Sequence, residues 1–236
     1  VHGLYKRNLE HRFRDIPPYS SFAGIDLSTN SYLNIEQNSD IKNRAKELIN
    51  DQFEGNGASR LITTHSSLYD ILEERIASWK KTETALVFNS GYAANVGIIS
   101  SLANRHTAIF SDRLNHASIL DGITLSGAQL FRYTHNDISC LNRHLRDCPQ
   151  KEKLIITDSI FSMDGDRAPL EDIVELAQKY DAMVMVDEAH GSGVFGDQGN
   201  GLVGELKLEN HIDIRMGTLS KALAGLGGFF AGSKML

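Results

Sequence analysis

A repeating alternation of short apolar runs and helical patterns fills the chain from Ala85 onward, and it constrains the fold more than any other feature. The apolar runs have the length and the β-branched content of strands, and they are Ala85–Phe88, Ala108–Phe110, Gln129–Tyr133, Leu154–Thr157, Met183–Val186, Ile212–Met216 and Gly228–Ala231. Helical spacing separates most of them, as in Ala93–Leu102, Ile138–Leu145 and Leu170–Tyr180. Strands that alternate with helices form parallel sheets with right-handed crossovers. The pattern therefore predicts an α/β fold with a mostly parallel, doubly wound central sheet flanked by helices.

The chain before this alternation has a different character. Residues 1–24 are polar and aromatic and contain Pro17-Pro18, which predicts a helical arm followed by a turn. The segments that follow have the patterns of a short strand and two helices, at Ile25–Leu27, Ile41–Phe53 and Ser67–Trp79. We therefore expect an amino-terminal arm with a short strand over residues 1–45 and one large domain over residues 46–236.

Composition limits the class of protein. Hydrophobic residues make up 41% of the chain and charged residues 23%, as in ordinary globular proteins. The net charge of −6 lacks the basic footprint of a nucleic-acid-binding protein. Neither a signal peptide nor an apolar run of membrane-spanning length is found, and Cys140 and Cys148 read as free thiols of a reducing compartment. We expect a cytoplasmic protein with no nucleic-acid partner, no membrane partner and no metal.

Polar and reactive residues collect where the predicted strands end. Ser90 follows the first strand and can cap the next helix, whose free N–H groups suit a phosphate. Asp187 and His190 follow Met183–Val186, and Lys221 follows Ile212–Met216. The carboxyl ends of parallel strands share one edge of the sheet, where ligands of open α/β sheets bind. These residues are therefore expected to meet in one site.

Each of these groups alone is more often structural than catalytic, but together they meet the needs of pyridoxal 5'-phosphate (PLP). Lys221 offers the amine that bonds an aldehyde cofactor, and Asp187 offers the buried carboxylate that keeps the ring nitrogen protonated. His190 can contact the ring oxygen, and His116 can stack on the ring. The phosphate can be held by Gly91, Tyr92 and Thr218. The sequence therefore predicts a PLP site.

Two competing motifs indicate nucleotide binding instead. Asp187-Glu188-Ala189-His190 spells the acidic box of helicases, but that interpretation needs a phosphate loop ending in Gly-Lys, and the chain contains no Gly-Lys pair. Gly191–Gly196 matches a dinucleotide fingerprint, yet residues 197–204 carry three glycines and no helical stripe. A nucleotide-binding α/β module remains an alternative, which nucleotide binding without a visible absorption band would reveal.

Four ordered motifs resemble the α-oxoamine synthases, a family of fold-type-I PLP enzymes. They are Ser90–Asn95, Phe161–Asp166, Val186–Gly191 and Thr218–Lys221. The resemblance extends over nearly the whole chain from about Leu27 onward, and Asp166–Leu170 together with Asp187–Gly191 favours the biotin-pathway branch. The family's carboxyl-terminal small domain is expected to be absent from this chain.

The resemblance assigns roles to particular residues. It implies that Lys221 bonds the cofactor and that Asp187 pairs with its ring nitrogen. It also implies that His116 stacks on the ring, whereas Ser162 and His190 contact its oxygen side. Contacts to the phosphate or to neighbouring groups fall to Ser90, Gly91, Tyr92 and Thr218, and substrate contacts fall to Asn30 and Arg7.

The implied activity is that of a PLP-dependent acyltransferase, which condenses an amino acid with an acyl-CoA and releases CO₂. L-alanine with a pimeloyl thioester is the expected pair, as in biotin biosynthesis. The alternatives are another oxoamine synthase, similar to glycine C-acetyltransferase, aminolevulinate synthase or serine palmitoyltransferase, and a truncated PLP-binding protein without activity. The resemblance also implies a homodimer.

Overall fold

A seven-stranded sheet lies at the centre of the computed structural model, which describes residues 27–52, 58–62 and 66–236. The strands are β1 (Thr84–Phe88), β2 (Thr107–Asp112), β3 (Gln129–Tyr133), β4 (Glu152–Asp158), β5 (Met183–Asp187), β6 (Ile214–Thr218) and β7 (Gly228–Gly232). Their order across the sheet is β1-β7-β6-β5-β4-β2-β3. The predicted arm over residues 1–24 and most of Ile25–Leu27 lie outside the described residues, and Leu27 itself is not part of a strand.

The last strand departs from a fully parallel arrangement. β7 runs antiparallel to both of its neighbours, β1 and β6, while the pairs among β2, β3, β4, β5 and β6 are parallel. A parallel return needs a crossover of a dozen or more residues, usually a helix. Residues 219–227 between β6 and β7 form no helix, so the chain turns straight back. The sheet is thus mostly parallel, and the predicted strand Ile212–Met216 is displaced to Ile214–Thr218.

Most of the helices pack on one of the two faces of this sheet. The helices are α1 (Ser39–Gln52), α2 (Ser67–Lys80), α3 (Gly91–Leu102), α4 (Ala117–Ser126), α5 (Ile138–Asp147), α6 (Leu170–Tyr180) and the short α7 (Leu202–Glu205), with a 3-10 turn at Ile35–Gln37. The sequence prediction missed α4, because Gly122 and the β-branched Ile119, Ile123 and Thr124 give it low intrinsic helix propensity. The predicted division at residue 45 falls inside α1 and stays a prediction.

The core has one apolar layer on each side of the sheet. Ile155 and Val186 pack with α5 and α6 on one face. Ile156 and Met185 pack with α3 and α4 on the other. Burial on both faces explains why these strands read as continuous apolar runs. Among the described residues, no helix is both long and apolar enough to cross a membrane.

The topology brings several strand ends to one edge. β1 pairs antiparallel with β7, which pairs antiparallel with β6, so β1 points the same way as the parallel strands. The carboxyl ends of β1, β2, β4, β5 and β6 therefore meet. Gly228 begins β7 at the same edge, where a Cβ atom would lie 2.7 Å from the Ser90 carbonyl oxygen. Only a residue without a side chain lets the chain pass so close to the start of α3.

Candidate active site

A cavity of about 240 Å³ opens at this edge of the sheet. Most of the predicted site residues line it, namely Ser90, Gly91, Tyr92, His116, Asp187, His190, Thr218 and Lys221. Its wall also contains Asn95, Ser118, Asp158, Ala189, Met216 and Ser220. The structure thus gathers an amine, two carboxyl groups, two imidazoles and several hydroxyls around one space.

Asp187 ends β5 at the base of the cavity and is only 4% exposed. Its Oδ1 accepts a hydrogen bond from the Ala189 N–H at 2.8 Å, and its Oδ2 accepts one from Asn95 Nδ2 at 2.8 Å. Hydrogen bonds donated to a carboxylate stabilise its ionised form. Both oxygens of the Asp187 side chain are therefore hydrogen-bonded to neutral donors.

A chain of side-chain contacts joins Asp187 to His116. Asn95 Nδ2 also donates to Ser118 Oγ at 2.9 Å, and Ser118 Oγ lies 2.7 Å from His116 Nδ1. His116 is the N-cap of α4, where Nδ1 accepts from the Ser118 N–H at 3.3 Å. The sequence analysis gave Asn95 and Ser118 no role. Asn95 could have been found, because it lies one helical turn after Gly91, on the same face of α3.

Lys221 begins a second chain of contacts, on the opposite side of the cavity. Lys221 Nζ lies 2.7 Å from His190 Nε2, and His190 Nδ1 lies 2.6 Å from the Tyr32 hydroxyl. The Tyr32 hydroxyl in turn donates to Asn30 Oδ1 at 3.2 Å. A consistent assignment has Lys221 donating to Nε2 and the Nδ1–H of His190 donating to Tyr32. Asn30 thus joins the site through Tyr32, which the sequence analysis had not singled out.

Burial sets the charge state of this pair. It lowers the pKa of the Lys221 amine, against the opposing effect of the Asp187 and Asp158 carboxyls. Burial also lowers the pKa of His190 to about 4, and the charge on Lys221 and His116 contributes in the same direction. His190 is therefore neutral at neutral pH. A neutral imidazole beside Lys221 can accept a hydrogen bond from the amine without adding a second positive charge.

The amino end of α3 forms one corner of the cavity. Ser90 is its N-cap, and the Ser90 hydroxyl accepts from the Ala93 N–H at 3.0 Å. A Cβ on Gly91 would lie 3.2 Å from Met216 Cε and 3.4 Å from Thr218 Cβ, so the cavity wall is tight there. The Thr218 hydroxyl contacts the Gly227 carbonyl oxygen at 2.8 Å and Ser220 Oγ at 2.7 Å. A helix amino terminus flanked by hydroxyls suits a phosphate.

Three predicted site residues differ from the rest. Ser162 is exposed in the turn after Phe161 and does not line the cavity. Tyr92 reaches the rim, but its hydroxyl donates to Asp121 Oδ2 at 2.7 Å. Arg7 lies outside the described residues. The roles of these residues stay predictions.

A larger cavity of about 450 Å³ lies between β1, α3 and the last residues of the chain. Its wall contains Leu86, Phe88, Ile98 and Phe230, with Lys234 as its one ionisable side chain among the described residues that line it. It has greater volume than the cavity at the strand ends, but it lacks a cluster of reactive groups. Chemistry is therefore assigned to the smaller cavity.

Comparison with known proteins agrees with this picture. The sequence profile of the family "Aminotransferase class I and II" matches residues 23–236. A putative 8-amino-7-oxononanoate synthase of Halalkalibacterium halodurans is 50% identical over 210 residues, which cover 89% of this chain and 53% of that protein. The chain thus spans about half the length of the curated relatives it matches.

Solved structures show the same relationship. A serine palmitoyltransferase from S. paucimobilis, described with bound PLP, superposes with a TM-score of 0.81 at 36% identity, covering 86% of this chain and 52% of that one. An 8-amino-7-oxononanoate synthase from Francisella tularensis gives a TM-score of 0.75 at 29% identity, covering 89% of this chain and 59% of that one. The predicted fold class and the resemblance to α-oxoamine synthases are confirmed.

Proposed function

The chain belongs to the aminotransferase class I and II family, and on that premise we propose that the whole protein is a PLP-dependent α-oxoamine synthase. It condenses an amino acid with an acyl thioester and releases CO₂ to give an α-amino ketone. The leading pair is L-alanine with a pimeloyl thioester, which makes the protein an 8-amino-7-oxononanoate synthase of biotin biosynthesis. Relatives with that name support the pair.

One observation carries the proposal: Lys221 faces a neutral imidazole and an anion-binding corner in the same cavity. An amine with a lowered pKa is a better nucleophile toward an aldehyde, because more of it is unprotonated. Its neighbour His190 is neutral at neutral pH and therefore places no second positive charge beside the amine. An ordinary surface lysine would have neither feature.

The residues fit PLP by their donor chemistry. Asp187 is buried, anionic and without a cationic hydrogen-bond partner, as a protonated ring nitrogen requires. Ser90, Gly91 and Thr218 surround the amino end of α3, where a phosphate would be held. His116 caps α4 on the cavity wall and can cover a flat ring.

The chain's own groups divide the work. When bound, PLP supplies an aldehyde that bonds amines and a ring that accepts electrons from the α-carbon of the amino acid. Lys221 Nζ holds the cofactor and, once released by the amino acid, is placed to take the α-proton. His190 orients the amine through its 2.7 Å contact, and Tyr32 fixes the tautomer of His190. Asp187 would pair with the ring nitrogen of the bound cofactor.

A serine palmitoyltransferase-like activity is the second candidate, because structures of that enzyme superpose with TM-scores up to 0.83. Its reaction has the same form but uses serine and a longer acyl chain. We further propose that the whole protein is a cytoplasmic homodimer, as the family resemblance implies. An active monomer in sedimentation analysis would contradict the dimer.

The test is an assay of the whole protein with alanine, glycine and serine, each against acetyl-, succinyl-, pimeloyl- and palmitoyl-CoA. Thiol release and the mass of the amino ketone are measured, with Lys221→Ala as the matched control. Alanine with pimeloyl-CoA should give the fastest release and a product absent from the control. Preference for serine with palmitoyl-CoA would favour the second candidate, and no product from any pair would contradict the proposal.

A further inference from the structure

Asp158 lies beside Asp187 but was given no role above. It ends β4, and the two residues are direct neighbours in the parallel pairing of β4 with β5. Neighbours in register point to the same face of a sheet. Both line the cavity, and each is only 4% exposed. The cavity base therefore presents two carboxyl groups side by side.

The two carboxyl groups have unequal hydrogen bonding. Each oxygen of Asp187 accepts from a neutral donor. Asp158 faces the backbone N–H of His116, but its Oδ1 is buried without any partner among the described residues. An unpartnered buried oxygen is unfavourable, and far more so when it is charged. This asymmetry places the negative charge on Asp187.

The charges around Asp158 point the same way. The groups that face it are Asp187 from β5, Asp112 from β2, Tyr133 from β3, Lys221 after β6, and His116. Burial raises the pKa of Asp158 well above its usual range, and the negative charge of Asp187 raises it further. Two adjacent buried carboxyl groups cannot both ionise cheaply. Lys221 is the single amine on the described wall of this cavity, and one carboxylate balances it.

We infer that Asp158 is a positioning residue for Asp187: it holds a proton at the cavity base, so that the pair presents a single negative charge, located on Asp187, toward the cofactor ring. The inference rests on the proposed function for the identity of that ring. A neutral acid also brings a hydroxyl donor to this wall. If both carboxyl groups were ionised, the pair would carry one negative charge more than Lys221 can balance, and it would attract a second cation.

The first test uses cofactor-free whole protein, so it does not depend on the proposed activity. A carboxyl group whose pKa is raised by folding favours the folded state less and less as pH rises through the folded-state pKa. Asp158→Asn, which resembles the neutral acid, escapes that loss. The Tm of Asp158→Asn should therefore gain on the parent Tm as pH rises from about 5 to about 9. The inference would be overturned if the Tm of Asp158→Asn minus the Tm of the parent stayed constant or fell over this pH range.

Asp187→Asn provides a second route if Asp158→Asn does not fold. Removing the neighbouring charge should let Asp158 ionise more readily, so the fall in Tm with rising pH should be smaller and should end at a lower pH than in the parent. A loss at unchanged pH would contradict the coupling.

PLP titration of the same proteins tests the positioning role. Asp187→Asn should weaken PLP binding at least about tenfold more than Asp158→Asn does, because only Asp187 bears the charge. Equal losses would overturn the inference. Failure of the parent to bind PLP would instead contradict the proposed function, while the Tm comparison would still decide the state of Asp158.

Discussion

Asp187 and Glu188 are consecutive residues, yet their carboxylates belong to two different charged clusters. One cluster is closed to solvent, and the other lines the cavity. We call Lys80, Glu188, Ser192 and Arg215 the sealed cluster, and Asp158, Asp187, His190 and Lys221 the cavity cluster. Asp187 contacts Asn95 of α3, whereas Glu188 contacts Lys80 of α2 on the other side of the sheet. Side chains at successive positions of an extended chain point in opposite directions. One sequence motif thus serves both clusters.

The sealed cluster leaves its amine with no spare capacity. Lys80 Nζ donates to Glu188 Oε2 at 2.9 Å, to Ser192 Oγ at 2.8 Å and to the Asn200 carbonyl oxygen at 2.9 Å. Lys80 and Glu188 are both 0% exposed. Glu188 Oε1 accepts from the Val203 N–H at 3.0 Å. All three ammonium protons are used, so this amine can only hold the structure together.

The cavity cluster keeps unused hydrogen-bonding capacity. Among the described residues, the Lys221 side-chain amine has one hydrogen-bond partner, His190, and Asp158 Oδ1 has none. The sealed cluster also contains a polar atom without a hydrogen-bond partner among the described residues. Arg215 donates to the Lys80 and Glu209 carbonyl oxygens, but its Nε has no acceptor. The difference lies in access: Lys221 lies on the wall of an open cavity, where a ligand can contact its amine, whereas Lys80 is completely buried. Buried charge alone therefore does not identify a functional site.

The largest expected effect comes from one substitution made in each cluster. Lys80→Met leaves Glu188 buried and unpaired, which should lower the free energy of unfolding by about 3–5 kcal/mol. Lys221→Met removes an amine that burial already disfavours, and should change it by less than about 1 kcal/mol. Urea unfolding of cofactor-free protein measures both. The double variant Lys80→Met/Glu188→Met, which removes both charges, is the control and should recover most of the loss. Equal losses in the two single variants would break the comparison.

Substitutions of the neighbouring acids Glu188 and Asp187 should affect different properties, stability in the first case and cofactor binding in the second. Glu188→Gln strands the charge of Lys80 and should lower the unfolding free energy by about 1–3 kcal/mol. Asp187→Asn should weaken PLP binding at least about tenfold, because the ring nitrogen loses its partner. Spectroscopic PLP titration and urea unfolding are made on both variants. The clusters would not be distinct if Glu188→Gln, while folded, weakened PLP binding as much as Asp187→Asn.

The pH dependence of stability should report on His190. Its pKa falls from 6.5 in the unfolded chain to about 4 in the folded one. The unfolded chain therefore binds the proton more readily, so His190 contributes stability above about pH 6.5 that is lost as pH falls toward about 4. His190→Gln should lose less stability over that interval than the parent. Parallel curves for the two proteins would show that His190 is not buried as described.

The smallest effect concerns two helix caps. Ser90 caps α3 at the cavity, and Ser66 caps α2 away from it. Each Ser→Ala substitution should lower the unfolding free energy by about 1 kcal/mol. Only Ser90→Ala should also weaken PLP binding, because only that helix end faces the cavity. Equal PLP affinity in the two variants would argue against a phosphate at α3.

The sequence predicted the features that depend on local pattern. Apolar runs buried on both faces gave the strands, and the residues that follow β1, β5 and β6 gave most of the cavity wall. It could not show that β7 runs antiparallel, because direction depends on what residues 219–227 do in three dimensions.

The sequence also left some partners undetected. Lys80 reaches Glu188 across 108 residues, and Tyr32 reaches His190 across 158, distances over which a pattern carries no signal. Asp158 comes directly after the predicted strand Leu154–Thr157, but its role depends on pairing with Asp187, which only the strand order reveals. Ser162 shows the reverse case, because its motif is recognisable while its side chain lies outside the cavity.

Borohydride reduction of the whole protein with bound PLP, followed by peptide mass analysis, tests the central claim most directly. The cofactor should be fixed to Lys221, which is partly buried, and not to Lys80, which is completely buried. Lys221→Ala should retain no fixed cofactor, and Lys80→Arg, with its sealed cluster still charged, should retain it at Lys221. Fixed cofactor on any lysine other than Lys221, or its persistence in Lys221→Ala, would contradict the account.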